Sequence, residues 1–311
     1  MPATQRDVRD RISSVKNIQK ITRAMEMVAA ARLRRAEQRI EALRPYASAI
    51  RRMTRQAAEA AGDLPRLPIL QEHPETRNVG LLLVAGDRGL AGAFNSNIVR
   101  AGVAAAREQE SEGRETSYYA SGRRPASSLT FRGLELKQSF TGFSDRPAYA
   151  DARRIAESLM AAYVDEEVDR LDIFYNGYIS PLSQVVRRET LLPLQQATVL
   201  EEGSEDESDS EGDERSRDGA QPEGPGPLVE YEPDPEEILG RLVPDYVEIS
   251  IYRALLESTA SEHGARMTAM RNASDNAGTL IDDLTLEANR ARQAEITQEI
   301  MEVVAGAEGL G

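Results

Sequence analysis

The 311-residue sequence contains no cysteine, which excludes disulfide bonds, thiol redox control and cysteine metal sites. Its two histidines, His73 and His263, are far apart in the chain and do not suggest a metal cluster. No window approaches the about 18 continuous apolar residues of a membrane-spanning helix. The first residues enter a helical pattern without the apolar core of a signal peptide. We therefore expect a protein without cofactor or metal that contacts a membrane only through partners.

Glycine is absent from residues 6–60, and Pro45 is the only proline there. Apolar residues recur every three or four positions, as on one face of a helix. They are Val8, Ile12, Val15, Ile18, Ile21, Met25 and Val28. A helix of about 50 residues is roughly 75 Å long, which exceeds the depth of one globular core. Residues 1–60 therefore predict a helix that protrudes or pairs with another helix.

Residues 235–311 repeat this pattern at the other end of the chain. The periodic apolar positions include Val247, Ile251 and Leu255 early, and Leu280, Leu284 and Ala288 later. We expect Pro244 to break or bend the early part, and Gly264 and Gly278 to weaken the helix locally while permitting close packing. Two long amphipathic helices at opposite ends of one chain predict an antiparallel coiled coil.

The segment between them, residues 75–200, alternates strand-like and helical patterns. Strands are predicted at 79–85, 116–121, 134–140, 171–178 and 183–190, with helices at 96–110 and 149–163. The first strand is a continuous apolar run, which is typical of a buried parallel strand. The predicted fold class is therefore α/β plus coiled coil, with a central Rossmann-like α/β domain between the antiparallel terminal helices.

Charge is distributed by segment. Residues 201–234 are rich in Asp, Glu, Ser, Gly and Pro, with Arg215 and Arg217 as their only bases. Such a segment buries too little apolar surface to offset the entropy lost on ordering. We predict a disordered acidic insertion without chemistry of its own, and expect deletion of residues 203–226 to leave assembly intact. Lys and Arg dominate the N-terminal helix instead.

Two motifs suggest a ligand. The glycine-rich turn at 86–92 joins a strand to a helix, as phosphate-binding loops do, but it lacks the Lys-Ser/Thr of a P-loop and the glycine spacing of the dinucleotide fingerprint. A tight strand–helix turn is the simpler interpretation. The basic N-terminal helix could face nucleic acid, solvent, or a partner with acidic loops; its cationic positions are Lys16, Lys20, Arg23, Arg32, Arg34 and Arg35. No nucleophile–base pair or carboxylate pair indicates an active site.

Three segments resemble the gamma subunits of bacterial F-type ATP synthases. They are RDVRDRISSVKNIQKITRAMEMVAAARLRRAEQ near the N-terminus, AGDRGLAGAFNSNI after the first strand, and the C-terminal stretch from ALLESTASEHGARMTAM to VVAGAEGL. The resemblance covers both ends and the start of the middle segment. It implies a coil standing on an α/β foot, which agrees with the fold predicted above. The acidic insertion is the departure from the family pattern.

The resemblance also implies a rotary machine. The chain would be the central rotor shaft, transmitting torque between a membrane c-subunit ring and a catalytic hexamer of alpha and beta subunits, regulating ATPase activity and ion flow, and binding the epsilon subunit. The complex would move protons or sodium ions; the chain itself would have no active site. It would lie peripherally on the cytoplasmic side of a cell membrane and bind no nucleic acid.

Site residues follow from motif matches within the resemblance. Lys20, Arg23 and Met25 match a collar that faces an acidic lever loop of the beta subunit. Five polar positions match contacts to the catch loops of the hexamer: Arg292, Gln293, Thr297, Glu299 and Glu302. Ile296, Ile300 and Val303 would line an apolar bearing at the shaft tip.

Two other functions remain open at this point. A coiled-coil tether or adaptor shares the hairpin but not the α/β foot or the terminal motifs. A nucleotide-dependent enzyme would use the α/β domain, but the missing lysine and catalytic acids disfavour it. Identification of bound partners separates the first from the shaft, and nucleotide titration tests the second.

Overall fold

The computed structural model describes residues 5–61, 68–194 and 235–308. The acidic insertion predicted at 201–234 lies outside these residues, as does the segment 203–226. Eleven elements follow one another along the described chain, with α1 and α5 at its two ends. Their bounds are α1 Gln5–Ala61, a 3₁₀ turn Pro68–Leu70, β1 Asn78–Val84, α2 Phe94–Ser111, β2 Glu115–Ser121, α3 Arg123–Phe131, β3 Leu136–Phe140, α4 Tyr149–Val164, β4 Arg170–Ser180, β5 Ser183–Leu192 and α5 Pro235–Glu308.

The middle segment forms a five-stranded sheet in the order β3-β2-β1-β4-β5. The first four strands are parallel, and β5 returns antiparallel to β4. One face packs against α2, with Leu81, Leu83 and Ile98 among the buried residues. The other face packs against α4 and the start of α5, with Leu82, Ile155 and Val247 in one continuous core. This three-layer arrangement is the predicted Rossmann-like domain.

α1 and α5 run antiparallel and pack against each other along most of α1. Val8, near the start of α1, contacts Leu284 and Ala288 of α5, whereas Leu33 packs with Ala260 farther down. Arg271 of α5 bonds to Glu26 of α1 between these two levels. The coiled coil predicted from the two ends is therefore confirmed.

The register of the coil differs from the predicted stripe. Fifteen of the buried or half-buried α1 positions form a seam that alternates by four and three residues, with further half-buried residues such as Met25 and Arg32 beside it. The seam positions are Val8, Ile12, Val15, Gln19, Thr22, Glu26, Ala29, Leu33, Ala36, Ile40, Leu43, Ala47, Ile50, Thr54 and Ala57. Ile18, Ile21 and Val28 are instead 53, 59 and 53% exposed. A coiled coil keeps a 3.5-residue repeat on its seam, and here the residue that follows each of these three, Gln19, Thr22 or Ala29, occupies the seam instead.

The expected break at Pro244 does not occur, and the structure has one helix that the sequence did not predict. α5 continues through Pro244 without a break, because the neighbouring Leu239, Val243 and Val247 are buried in the core on both sides of it. α3 was not predicted: it has only nine residues, of which Pro125 and Leu129 are buried.

Close packing at the glycines of α5 is confirmed. A Cβ on Gly264 would lie 3.0 Å from the Pro181 carbonyl oxygen, and one on Gly278 would lie 3.2 Å from Gln19 Nε2. The hairpin tip between β4 and β5 and the α1 helix therefore approach α5 closely at these two positions.

Candidate partner-binding surfaces and the base joint

The outer surface of α1 combines cationic and apolar side chains. Lys20 and Arg23 are exposed and Met25 is half-buried. The exposed Ile18, Ile21 and Val28 lie on the same part of the helix, outside the seam. The structure thus brings Lys20, Arg23 and Met25 to one level of the coil, next to apolar side chains that the described residues leave more than half exposed.

The tip, defined as residues 292–308 of α5, extends beyond the start of α1. Its described side chains at 292–301 and 303–305 are all exposed. Ile296, Ile300 and Val303 are 46, 57 and 71% exposed, and their spacing of four and three residues places them on one helix face. By the same periodicity Arg292 and Glu299 flank that face on one side.

The remaining predicted tip residues lie nearby. Gln293 and Thr297 flank the apolar face on its other side by helical periodicity, and Thr297 Oγ1 donates to the Gln293 carbonyl oxygen at 2.8 Å. Glu302 lies on α5, but its side chain is outside the described part of the structure. The tip and the Lys20 level are separated by roughly 30 Å of helix, since Gln19 contacts Ser274 and each residue adds about 1.5 Å. They are therefore two distinct surfaces.

A third feature lies where the hairpin leaves the sheet. In open α/β sheets, ligands bind beyond the carboxyl ends of the strands, where the strand order reverses, here between β1 and β4. α5 fills that place. A cavity of about 10 Å³ remains beside it, at the ends of β1 and β2, lined by Ser121, Ser144 and Glu262 among others. That volume holds about one water molecule and is too small for a nucleotide, so the turn at 86–92 serves packing.

Next to this cavity, which Glu262 lines, ionisable side chains form the base joint: Arg32, Asp87, Arg88, Asp145, Glu262, His263 and Arg266. Arg266 pairs with Glu262 and donates to the Gly89 carbonyl oxygen at 3.3 Å. Burial raises the pKa of Glu262, and Arg266 opposes that rise. Burial, with Arg266 second, lowers the pKa of His263 to about 4.

Loop geometry at the joint depends on Asp87. Its carboxylate accepts from the backbone N–H groups of Arg123, Gly142 and Ser144 at 3.0, 2.9 and 3.2 Å. Its own N–H donates to Ser144 Oγ at 2.9 Å. The loop after β1 and the loop before α4 are therefore fixed to each other beneath the hairpin.

The sequence singled out Arg32 only as one of several exposed cations and did not identify Glu262, Arg266 or Asp145. One signal was present: the run of small residues at 258–265 in α5 includes Glu262 four residues before Arg266. Small side chains in a long helix permit a close neighbour, and a charge among them then needs a buried partner.

No group of three metal-ligating side chains occurs among residues 5–61, 68–194 and 235–308. Within the same residues, no helix is both long enough and apolar enough to cross a membrane. His73 bonds to Asp169 at 2.8 Å and stacks on Tyr163, so it closes a structural contact at the opposite end of the sheet.

Comparison with known proteins covers the whole chain. A family model described as ATP synthase matches residues 4–310. An ATP synthase gamma chain of Rubrobacter xylanophilus is 42% identical over 99% of both chains, and one of Nostoc punctiforme is 41% identical, again over 99% of both.

Solved structures give the same fold. The central stalk and c-ring structure of the Tetrahymena thermophila mitochondrial ATP synthase contains a chain with TM-score 0.57 and 25% identity, covering 82% of this chain and 99% of that one. A chain of the Euglena gracilis mitochondrial ATP synthase has TM-score 0.66 at 19% identity, over 98% and 94% of the two chains, and shows the fold alone.

The coiled hairpin, the α/β base and the exposed tip define a shaft-like protein whose nucleotide crevice is filled by its own helix. Such a protein acts through partners. The chain belongs to the ATP synthase gamma chain family, so it is a non-catalytic subunit and the rotor shaft of an F-type ATP synthase. The family predicted from the sequence is thereby confirmed.

Proposed function

We propose that the hairpin turns inside a hexamer of alpha and beta subunits while the base binds the epsilon subunit and the c-subunit ring. Ion flow turns the ring, the ring turns the base, and the coil drives each beta subunit through its affinity cycle. The complex translocates protons or sodium ions. It lies on the cytoplasmic side of the cell membrane, where this chain is a peripheral subunit.

The observation that carries this proposal is the tip of α5. The tip exposes Ile296, Ile300 and Val303 on one helix face. Helical stability in proteins comes mainly from packing of an apolar face, so this part of the helix is expected to need a packing partner. An apolar sleeve formed by other subunits would cover that face. Since apolar contact is non-directional, such a sleeve holds the tip centrally without fixing its angle.

The polar tip residues have a different role. Arg292, Gln293, Thr297, Glu299 and Glu302 would bond to catch loops of the hexamer at particular angles. Directional bonds favour one orientation over another, so they would define the positions at which the shaft pauses. The smooth apolar face and the directional flanks together suit a stepping rotor.

Lys20, Arg23 and Met25 would meet an acidic lever loop of each beta subunit in turn. The exposed positive charges favour an acidic loop through electrostatic complementarity, and the adjacent Ile18 and Ile21 supply apolar contact. The shaft would stabilise one beta conformation over another at each angle, which shifts an existing equilibrium.

A tether or adaptor function is less well supported. A tether requires only the hairpin. In this chain the middle segment forms a five-stranded α/β base, and loops of that base accept hydrogen bonds from both helices. A tether does not require these bonds between helices and base.

Co-purification from cells tests the proposal. The full chain with an affinity tag should recover alpha, beta and epsilon subunits, and a Lys20→Ala, Arg23→Ala double variant should recover them with reduced ATPase activity per hexamer. Arg132→Ala, an exposed cation at the end of α3, is the matched control and should behave as wild type. Recovery of none of these subunits with the wild-type chain would refute the shaft function.

A further inference from the structure

The coil and the base meet through two kinds of contact. The lower contact is apolar: Val247, Ile251 and Leu255 of α5 pack into the core of the sheet. Apolar packing is non-directional, so by itself it holds the parts together but resists twisting only through shape. The upper contact is the base joint, which consists of charged groups.

Each helix of the hairpin has its own charged attachment in this joint. Arg32 of α1 donates from Nη1 to Asp145 Oδ2 at 2.9 Å. Arg266 of α5 donates to the Gly89 carbonyl oxygen while pairing with Glu262. Both helices are thus bonded to loops of the base at nearly the same height, since Leu33 and Met267 belong to one cluster.

The two loops that receive these bonds are themselves joined. Arg88, from the loop after β1, reaches Asp145 Oδ2 at 3.0 Å, and Asp87 accepts from the backbone of the loop before α4. A pair of helices attached at two points to one rigid frame cannot rotate relative to it without breaking a bond. Loss of one attachment would leave other bonds between the hairpin and the base, such as Arg39 to the Pro147 carbonyl oxygen and Ser261 to the Asn176 carbonyl oxygen, so it would lower the torsional stiffness without freeing the rotation.

The joint is also tightly enclosed. Glu262 is 1% exposed. A Cβ added to Gly86 would lie 2.8 Å from the Glu262 Cδ atom. Asp145 Oδ1 is buried and has no hydrogen-bond partner among the described residues, which an arrangement serving stability alone would avoid. The positions of Glu262 and Asp145 therefore fit a role in fixing the hairpin relative to the base.

We propose that the Arg32–Asp145 pair and the Glu262–Arg266–Gly89 contact form the torsional joint of the rotor. They are positioning residues that fix the angle between the hairpin and its base, so that torque on the base reaches the coil without twist or slip. This inference deepens the proposed function and rests on it.

The test uses the assembled complex. Because this chain has no cysteine, Phe131→Cys on the outer face of α3, where Phe131 is 91% exposed, gives the only thiol of this subunit; with cysteine-free partner subunits it is a single attachment point for a rotation probe on the base. The hexamer is fixed to a surface and arrested with a non-hydrolysable ATP analogue, and the angular variance of the probe then reports torsional stiffness.

Arg32→Ala and Arg266→Lys are the joint variants. Arg32→Ala removes the half-exposed partner of Asp145. Arg266→Lys keeps a positive charge beside Glu262 but loses the guanidinium group that donates to the Gly89 carbonyl oxygen. Each variant removes one of two strong, charge-assisted attachments that act in parallel, so the stiffness they supply should halve and the angular variance should rise about two-fold. Arg241→Ala, which removes an exposed ion pair with Glu237 within α5, is the control and should match wild type.

A variant that keeps the bond distinguishes loss of the Arg32–Asp145 bond from a general weakening of the subunit. Arg32→Lys keeps a cationic donor facing Asp145 and leaves the Arg88–Asp145 pair intact, so its variance should lie closer to wild type than that of Arg32→Ala if the bond matters. Variances equal to wild type in both joint variants would overturn the inference, and Arg32→Ala alone decides it if Arg266→Lys does not assemble. Failure of the proposed function looks different: the wild-type chain would then give no rotating complex.

Discussion

Arg271 Nε lies 2.9 Å from Glu26 Oε1, a contact between residues 245 positions apart in the chain. It joins the two terminal helices at a level where the seam contains Gln19, Thr22 and Glu26. The seam is polar there, whereas Ile18, Ile21 and Val28 point outward. The coil therefore offers apolar surface to partners at the height where it packs least strongly against itself.

Seam and outer residues of α1 should differ sharply in their effect on stability. Leu33 is buried between the helices, so Leu33→Ala should lower the free energy of unfolding by about 2–5 kcal/mol. Ile21 is 59% exposed, so Ile21→Ala should change it by no more than about 0.5 kcal/mol. Urea denaturation of the purified chain measures both. Equal losses would mean that Ile21 packs in the seam after all.

The polar tip residues should matter to the complex and not to the isolated chain. Arg292→Ala with Gln293→Ala should lower ATP synthesis or yield of the complex about tenfold, equivalent to about 1.4 kcal/mol of lost contacts. ATP synthesis by inverted vesicles, normalised to hexamer content, gives the rate. Asp282→Ala, an exposed change on the paired part of α5, serves as control. Wild-type rates and yields in the double variant would count against a catch-loop role.

The apolar tip face should tolerate shape changes and reject charge. Ile300 is 57% exposed, so neither Ile300→Leu nor Ile300→Asp should change the unfolding free energy of the chain by more than about 1 kcal/mol. Within the complex, Ile300→Leu should rotate normally, whereas Ile300→Asp places a charge against an apolar sleeve and should reduce ATPase activity. Full activity of Ile300→Asp would show that no such sleeve surrounds this face.

His263 should make the chain less stable in acid. Burial and Arg266 lower its pKa to about 4 from the ordinary 6.5, whereas Asp145 acts in the opposite direction. The unfolded chain therefore binds a proton first as pH falls, and stability is lost between about pH 6.5 and 4, by at most about 3 kcal/mol.

His263→Gln removes this titration while keeping a donor for the Asp145 backbone. Its unfolding free energy should fall less steeply than wild type across that window. Glu262 has a raised pKa and contributes the opposite slope in both proteins, so the difference between them isolates the histidine. Parallel pH profiles would show that His263 keeps its ordinary titration when folded.

Much of the fold could be predicted because its signals are local. An unbroken apolar run predicts strand β1, and the glycine-free stretch at residues 6–60 predicts a long helix. The coil seam could not be placed: the stripe through Ile18 and Ile21 and the true seam through Gln19 and Thr22 differ by one residue. The choice between them depends on the partner helix, which a single helix pattern does not contain.

The base joint shows the same limit at the candidate site. The sequence supplied the family resemblance, the exposed collar and tip positions, and a glycine-rich turn that fits no nucleotide motif. Only the tertiary structure brought Arg32, Asp145 and Arg266 together, because their meeting requires α1, α5 and two loops of the base to converge at one edge of the sheet. Periodicity along a chain encodes which face of an element is apolar, whereas contacts between charges from distant segments exist only once the layers have packed.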